Sequence, residues 1–245
     1  MRFENRLAVL VVSAALTAPA LASDLTIVYD VNANGKASTA TDYYTAHKFR
    51  SSDGQRDTIV DTAAGTIVSI DHARKEYSQT SVAEIEAAMQ SAAKQMEEAM
   101  KGMPPALREK MEKMSGGGGA VSVAKVGGGK TIAGYATDRY VISIGPAETE
   151  SFNATSLTPP IEPGELLRLQ SLANPMMKGA SQAVAELQKV KGMPLSTVTT
   201  IKVMGKTFTT TKLATEVKTG AVPASAFEIP AGYKLVKSPL AKMAH

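Results

Sequence analysis

The sequence predicts an α+β fold built on an antiparallel sheet, and three observations lead there. Short segments of alternating hydrophobicity start at Asp24 and are separated by turn residues. From residue 82 the apolar spacing changes to threes and fours, which is helical. Strand-like segments then return, with a further helical stretch between residues 165 and 190. Helices segregated from hairpin-linked strands argue for α+β, and such a sheet normally packs one face on its helices.

Residues 1–22 have the form of a secretory signal peptide. Arg2 and Arg6 charge the start, Leu7–Leu16 is apolar, and Ala20-Leu21-Ala22 is a small-x-small cleavage pattern. The apolar run is too short to span a bilayer. The expected location is therefore periplasmic, with residues 23–245 as a single domain and no transmembrane span after cleavage. Removal of residues 1–22 takes Arg2, Arg6 and Glu4 and leaves a net charge of +3, against +4 for the whole chain. The mature charge is well mixed, and no Lys/Arg face interleaved with aromatics points to nucleic acid. Zero Cys excludes disulfides, thiolate metal sites and an acylated amino-terminal cysteine. Zero Trp and five Phe leave the core to Val, Ile, Leu, Ala and Met.

The elements follow in order. Leu25, Ile27, Tyr29 and Val31 share one face of a first strand, and Asn32-Ala33-Asn34-Gly35 is a turn. A strand through Asp42–Arg50 leads to the turn Ser52-Asp53-Gly54. Thr58–Asp61, Thr66–Asp71 and Glu76–Gln79 read as further short strands of a meander. Ser81 and Glu84 form a capping box, after which Val82, Ile85, Met89, Ala92, Met96, Ala99 and Met103 make an apolar helical stripe. Pro104-Pro105 ends it. A second helix, Ala106–Met114, completes a helical insertion over 81–114, and residues 115–119 are a Gly-rich linker. Strands are expected at Ala120–Val126, Thr131–Ile144 and Glu148–Leu157, and helices at Glu165–Ala173 and Ala180–Val190. Leu195–Met204 and Thr207–Val217 flank a hairpin at Gly205-Lys206, and Phe227–Val236 adds a short last strand.

Three stretches resemble a known group. Thr58–Thr80 (TIVDTAAGTIVSIDHARKEYSQT), Lys130–Ile144 (KTIAGYATDRYVISI) and Ala226–Leu235 (AFEIPAGYKL) look like segments of a secreted bacterial domain-of-unknown-function family related to LolA-like lipoprotein carriers. The resemblance runs loosely over residues 24–236. It implies a LolA-like half-barrel, a curved antiparallel sheet covered by helices over a hydrophobic cavity. Relatives of that fold carry lipids or acyl chains, or sense envelope stress.

The methionines are the most distinctive candidate site. Met89, Met96, Met100, Met103, Leu107 and Met111 are the expected ligand-binding residues, because thioether side chains are flexible, polarizable and suited to adaptable apolar surfaces. The same spacing fits plain packing against the sheet. Copper ligation by thioethers would call for a nearby His or Cys, and the segment has neither; no metal or other cofactor is expected. Gly127-Gly128-Gly129-Lys130-Thr131 looks like the end of a phosphate loop, but the pattern requires Gly where Ala124 stands and a helix where Ile132–Ile144 alternates. Gly179-Ala180-Ser181-Gln182-Ala183 approaches a nucleophile elbow and lacks its last Gly. His72, beside Arg74 and Lys75, reads as a solvated turn residue, and Asn153-Ala154-Thr155 as an incidental sequon.

No catalytic residue is therefore expected. The expected function is a soluble periplasmic binding or carrier protein for an apolar ligand, a lipid or acyl chain held between sheet and helices. The alternative is a non-catalytic envelope interaction or stress-sensing protein that offers helix 82–103 to a protein partner.

Overall fold

The computed structural model describes residues 23–102, 104, 121–161, 185–203 and 205–238, with some side chains of the helix left out. The signal segment, the expected helices Ala106–Met114 and Glu165–Ala173, the linker 115–119 and Ser181 lie outside the described residues. Of Ala180–Val190, residues 185–187 are described and helical.

The chain opens as the alternation requires. Strand β1 (Leu25–Ala33) buries Leu25, Ile27 and Tyr29 and turns at Asn34-Gly35 into β2 (Lys36–Tyr44). The expected strand Asp42–Arg50 is interrupted. Thr45 folds back, its backbone N–H bonding to Lys48 O at 2.8 Å and its hydroxyl accepting from Lys48 N at 3.0 Å. That turn starts β3 (Lys48–Ser52), followed by β4 (Arg56–Asp61), β5 (Thr66–Asp71) and β6 (Glu76–Ser81). Helix α1 (Val82–Lys101) begins at the expected capping box. Ser81 N donates to Glu84 Oε2 at 2.7 Å, and Glu84 N donates to Ser81 Oγ at 3.2 Å.

In the second half, β7 (Val121–Val126) is followed by three pieces where one strand is expected over Thr131–Ile144. A two-stranded hairpin, β8 (Thr131–Ile132) with β9 (Tyr135–Ala136), precedes β10 (Asp138–Ile144). The break is Gly134, whose φ of +85° suits a residue without Cβ. Then come β11 (Ala147–Ala154), β12 (Met193–Val203), β13 (Lys206–Thr219), a 3-10 turn at Ala224–Phe227, and β14 (Lys234–Leu235).

The expected α+β class, a LolA-like half-barrel covered by helices, is not met. The described residues are mostly β. Twelve strands form one mixed sheet in the order β14-β6-β5-β4-β3-β2-β1-β13-β12-β11-β10-β7. Every pair is antiparallel except β14 on β6, and the sheet does not close into a barrel. Helix α1 packs against β6 through its first turns and does not cover the sheet. The physical reason lies in the long strands β12 and β13. Their runs of Val, Thr and Ile favour extended backbone and carry the sheet on from β1 through a register that begins at Leu25 opposite Thr219. The main core gathers Leu25, Ile27, Tyr29, Tyr44, Phe49, Val60 and Ile67 with Ile85 of α1 and with Ile132, Leu157, Ile161, Met193 and Leu195.

Candidate functional site

Residues directly opposite in an antiparallel pair share a face of the sheet, so the register builds the site. Three rows cross β4, β5 and β6 on the core face. The innermost is Val60–Ile67–Thr80, the next Thr58–Ser69–Ser78, and the outermost Arg56–Asp71–Glu76. Successive rows lie two residues apart, about 7 Å. Ile85 of α1, 1% exposed, stands over the innermost row. Val236, Lys237 and Ser238 close one side, and Arg74 joins the charged end, 3.8 Å from Asp71. The result is a cleft of about 720 Å³ that grades from apolar (Ile67, Ile85, Val236) through hydroxyls to charge. Its volume lies in the range of small-molecule sites.

Two buried polar clusters flank this cleft. On the core face, Asp42 is 3% exposed and accepts Ser51 Oγ at 2.6 Å, Lys212 Nζ at 2.7 Å and Tyr44 OH at 3.4 Å. The Lys212 ammonium also sits 4.1 Å from the centre of the Tyr29 ring, and Tyr29 OH donates to Pro194 O at 2.9 Å. Burial, with the Asp42 charge next, pushes both the Tyr29 and Tyr44 phenols well above their ordinary range. Neither tyrosine can serve as a base near neutral pH.

The second cluster is on the opposite face. Asp57, with no exposed side-chain surface, pairs with the Arg50 guanidinium and accepts His72 Nε2 at 2.8 Å. Burial pushes the Asp57 carboxyl up. The Ser52 hydroxyl, opposite Asp57 in the β3–β4 register, His72 and Arg50 more than offset this and hold it below the usual carboxylate value. A carboxylate only accepts, so Nε2 carries a hydrogen. In the neutral ring Nδ1 then accepts from Tyr233 OH at 2.8 Å. Arg50 also donates to Ala226 O at 2.5 Å. The cluster thus ties the segment before β14 to the back of β3 and β4. His72 is not the solvated turn residue expected, and both its ring nitrogens are engaged. Asp57 lies fifteen residues before His72, and Tyr233 lies 161 residues after it.

The other sequence candidates separate. Met89, Met96 and Met100 lie on the α1 backbone, but their side chains are outside the described set. Met103, Leu107 and Met111 lie outside the described residues altogether. Ile85, a member of the same stripe, is the described α1 side chain in the cleft. Lys130 is held in a closed loop and not in a phosphate loop. Its ammonium lies 4.1 Å from the centre of the Phe152 ring, and its carbonyl accepts Thr137 N at 3.0 Å and Thr137 Oγ1 at 2.6 Å. A strand follows it. Asn153 is 2% exposed and bonded to Ser151 and to Gly192 O, so the asparagine of the sequon is buried. Among the described residues no group of three His, Cys, Asp or Glu side chains is placed to hold a metal, and no helix is long and apolar enough to cross a membrane.

No protein-family model matches the chain, and no curated protein matches it. Among solved structures, PNGF-II is similar at 12% identity and a TM-score of 0.44, over 91% of this chain and 33% of that one. MucB in complex with MucA(peri) is similar at 12% identity and a TM-score of 0.41, over 88% of this chain and 57% of that one. The MucA/MucB complex of Pseudomonas aeruginosa is similar at 13% identity and a TM-score of 0.39, over 88% of this chain and 59% of that one. The chain therefore spans about a third of PNGF-II and under two thirds of the MucB chains it resembles.

Proposed function

We infer that this chain is a non-catalytic binding or carrier protein of the bacterial envelope, and that its ligand is an amphiphile with an acyl or similar apolar part. The observation that carries this reading is the gradient across the cleft. An apolar tail fits the Ile67, Ile85 and Val236 end, and a polar end fits the hydroxyl row and the Arg56, Asp71 and Glu76 mouth. Each methylene removed from water contributes about 0.8 kcal/mol, so a chain of moderate length binds without any reacting group. The engaged nitrogens of His72 and the raised phenols of Tyr29 and Tyr44 support a binding role over a chemical one. The leader-like residues 1–22 support the envelope location.

Organic extraction and native mass spectrometry of protein purified from its own envelope test the reading. A labelled fatty acid, followed by fluorescence, supplies an affinity. The expected result is saturable binding that weakens at least about tenfold in Ile67→Lys and in Ile85→Lys, the cost of placing a charge where methylenes packed. A protein that carries no lipid and fails to bind the labelled fatty acid overturns it.

A further inference from the structure

The hairpin β12–β13 has a different character from the cleft. Pairing with β1 stops at Ala33 opposite Thr210, and pairing with β11 stops at Ala147 opposite Ile201. Beyond those points, Lys202 and Val203 pair with Thr207 and Lys206, the hairpin closes at Gly205, and Phe208 lies opposite Ile201. The hairpin tip runs two residues past the end of β11, about 7 Å, and the turns at Asn34 and Pro146 reach Thr209 and Lys202.

Its exposed side chains are apolar and basic. Ile201 is 37% exposed, Val203 42% and Phe208 44%, and the register puts all three on one face. A soluble tip has no packing reason to carry a phenyl ring there, since Thr207 and Thr209 beside it satisfy β propensity without apolar cost. Lys206, opposite Val203, shares that face, and Lys202, opposite Thr207, stands on the other side of the same tip. The neighbouring turns extend the same chemistry. Asn34 N bonds to Thr209 O at 3.0 Å and brings Lys36 alongside, while Lys202 N bonds to Pro146 O at 3.2 Å and brings Ile144 and Ala147. Lys36, Lys202 and Lys206 stand at this end, and the acidic residues Glu148, opposite Thr200, and Asp30, opposite Leu213, lie at its inner margin.

We propose that this end of the sheet is a docking surface for an anionic lipid bilayer, with Phe208, Val203 and Ile201 entering the headgroup layer and Lys36, Lys202 and Lys206 facing lipid phosphates. The charge and apolar features supply the two signals that reversible membrane attachment requires. A projection of about 7 Å matches the 5–10 Å depth at which interfacial elements lie. A protein partner of acidic character would also meet the lysines, but it would not call for three apolar side chains on a tip this narrow. The bilayer satisfies both requirements at once. The hairpin holds the eighth and ninth places in the sheet order counted from β14, and it does not depend on the cleft having a ligand.

The chain has no Trp, so Phe208→Trp places a single emission probe at the tip. The test uses the full mature chain with vesicles of phosphatidylglycerol and phosphatidylethanolamine, and with vesicles of phosphatidylcholine alone. The expected result is co-sedimentation and a blue shift with the anionic vesicles, both reduced by raised salt, and neither with phosphatidylcholine. Phe208→Ser with Val203→Ser, and separately Lys202→Glu with Lys206→Glu, are expected to weaken binding at least about tenfold. Leu235→Ser, at a more exposed apolar site 64% open to solvent on β14, is expected to leave it unchanged. Circular dichroism checks that each variant is folded. Failure of the wild type to bind anionic vesicles overturns the proposal. So does equal loss in Leu235→Ser, or a concentration-dependent dimer that the Phe208 variant abolishes in the absence of lipid.

Discussion

Asp57 has no exposed side-chain surface; Arg50 balances its charge and His72 donates a hydrogen bond to it. Because its folded carboxyl titrates below the ordinary value, the folded state holds its charged form more tightly than the unfolded chain does. Asp57 therefore contributes stability that is fully present above about pH 4 and is lost as the pH falls through the lower folded value. Asp57→Asn leaves Arg50 buried without its counter-charge and is expected to cost about 3 kcal/mol at neutral pH. Urea denaturation across pH checks this, and the gap between variant and wild type should narrow as pH falls toward about 2. Gly129 makes a steric prediction. A Cβ there would stand 1.9 Å from Thr137 O, so Gly129→Ala is expected to lower stability by about 2 kcal/mol, measured by thermal melting, as the Lys130–Thr137 pairing is forced apart. The sequence reads Gly127–Lys130 correctly as no phosphate loop, because the missing Gly at 124 and the alternation after Thr131 are local signals. Asp57 with His72 escapes the same reading. Nothing local marks the pair, since it arises only when β4 and the turn after β5 are set in register.

At the level of elements, local chemistry was legible wherever one segment carries its own instructions. The capping box at Ser81 and Glu84 is an example, and Ser81→Ala is expected to destabilise α1 by about 1 kcal/mol, read as lost helical dichroism on titration with urea. The strands Thr66–Asp71 and Val121–Val126 were likewise marked by alternation between turn residues. Two breaks were not. The interruption at Thr45 uses a hydroxyl and no Gly or Pro, so the alternation runs through it unmarked. In Thr131–Ile144 the pattern survives the hairpin at Gly134, and β8 and β9 are too short to change the period visibly. The cleft shows the same division. Ile85 belongs to a stripe the sequence reveals, whereas the hydroxyl row Thr58–Ser69–Ser78 exists only across strands.

For the whole molecule, the sheet order explains why the class was misread. Counting helical and extended segments along the chain treats them as separate layers, but the strands before α1 and those after residue 121 join through β1 and β13 into one sheet. No local pattern states that two segments so distant will be neighbours. The junction carries the cohesion of the two halves. A charge introduced at the buried end of β1, Ile27→Asp, is expected to unfold both halves together in a single transition, checked by hydrogen exchange on β4 and on β11. The β1–β13 pairing also bears on timing. Leu25 lies opposite Thr219, about 190 residues later, so a chain emerging amino end first exposes its central strand long before the partner exists. Loop closure over that span is slow. The meander β1–β6 can pair as it emerges, but the β13 side of β1 stays an open edge until nearly the whole chain has been made. A fragment ending at Gly205 is expected to stay sensitive to protease, while the complete chain resists it once β13 has arrived.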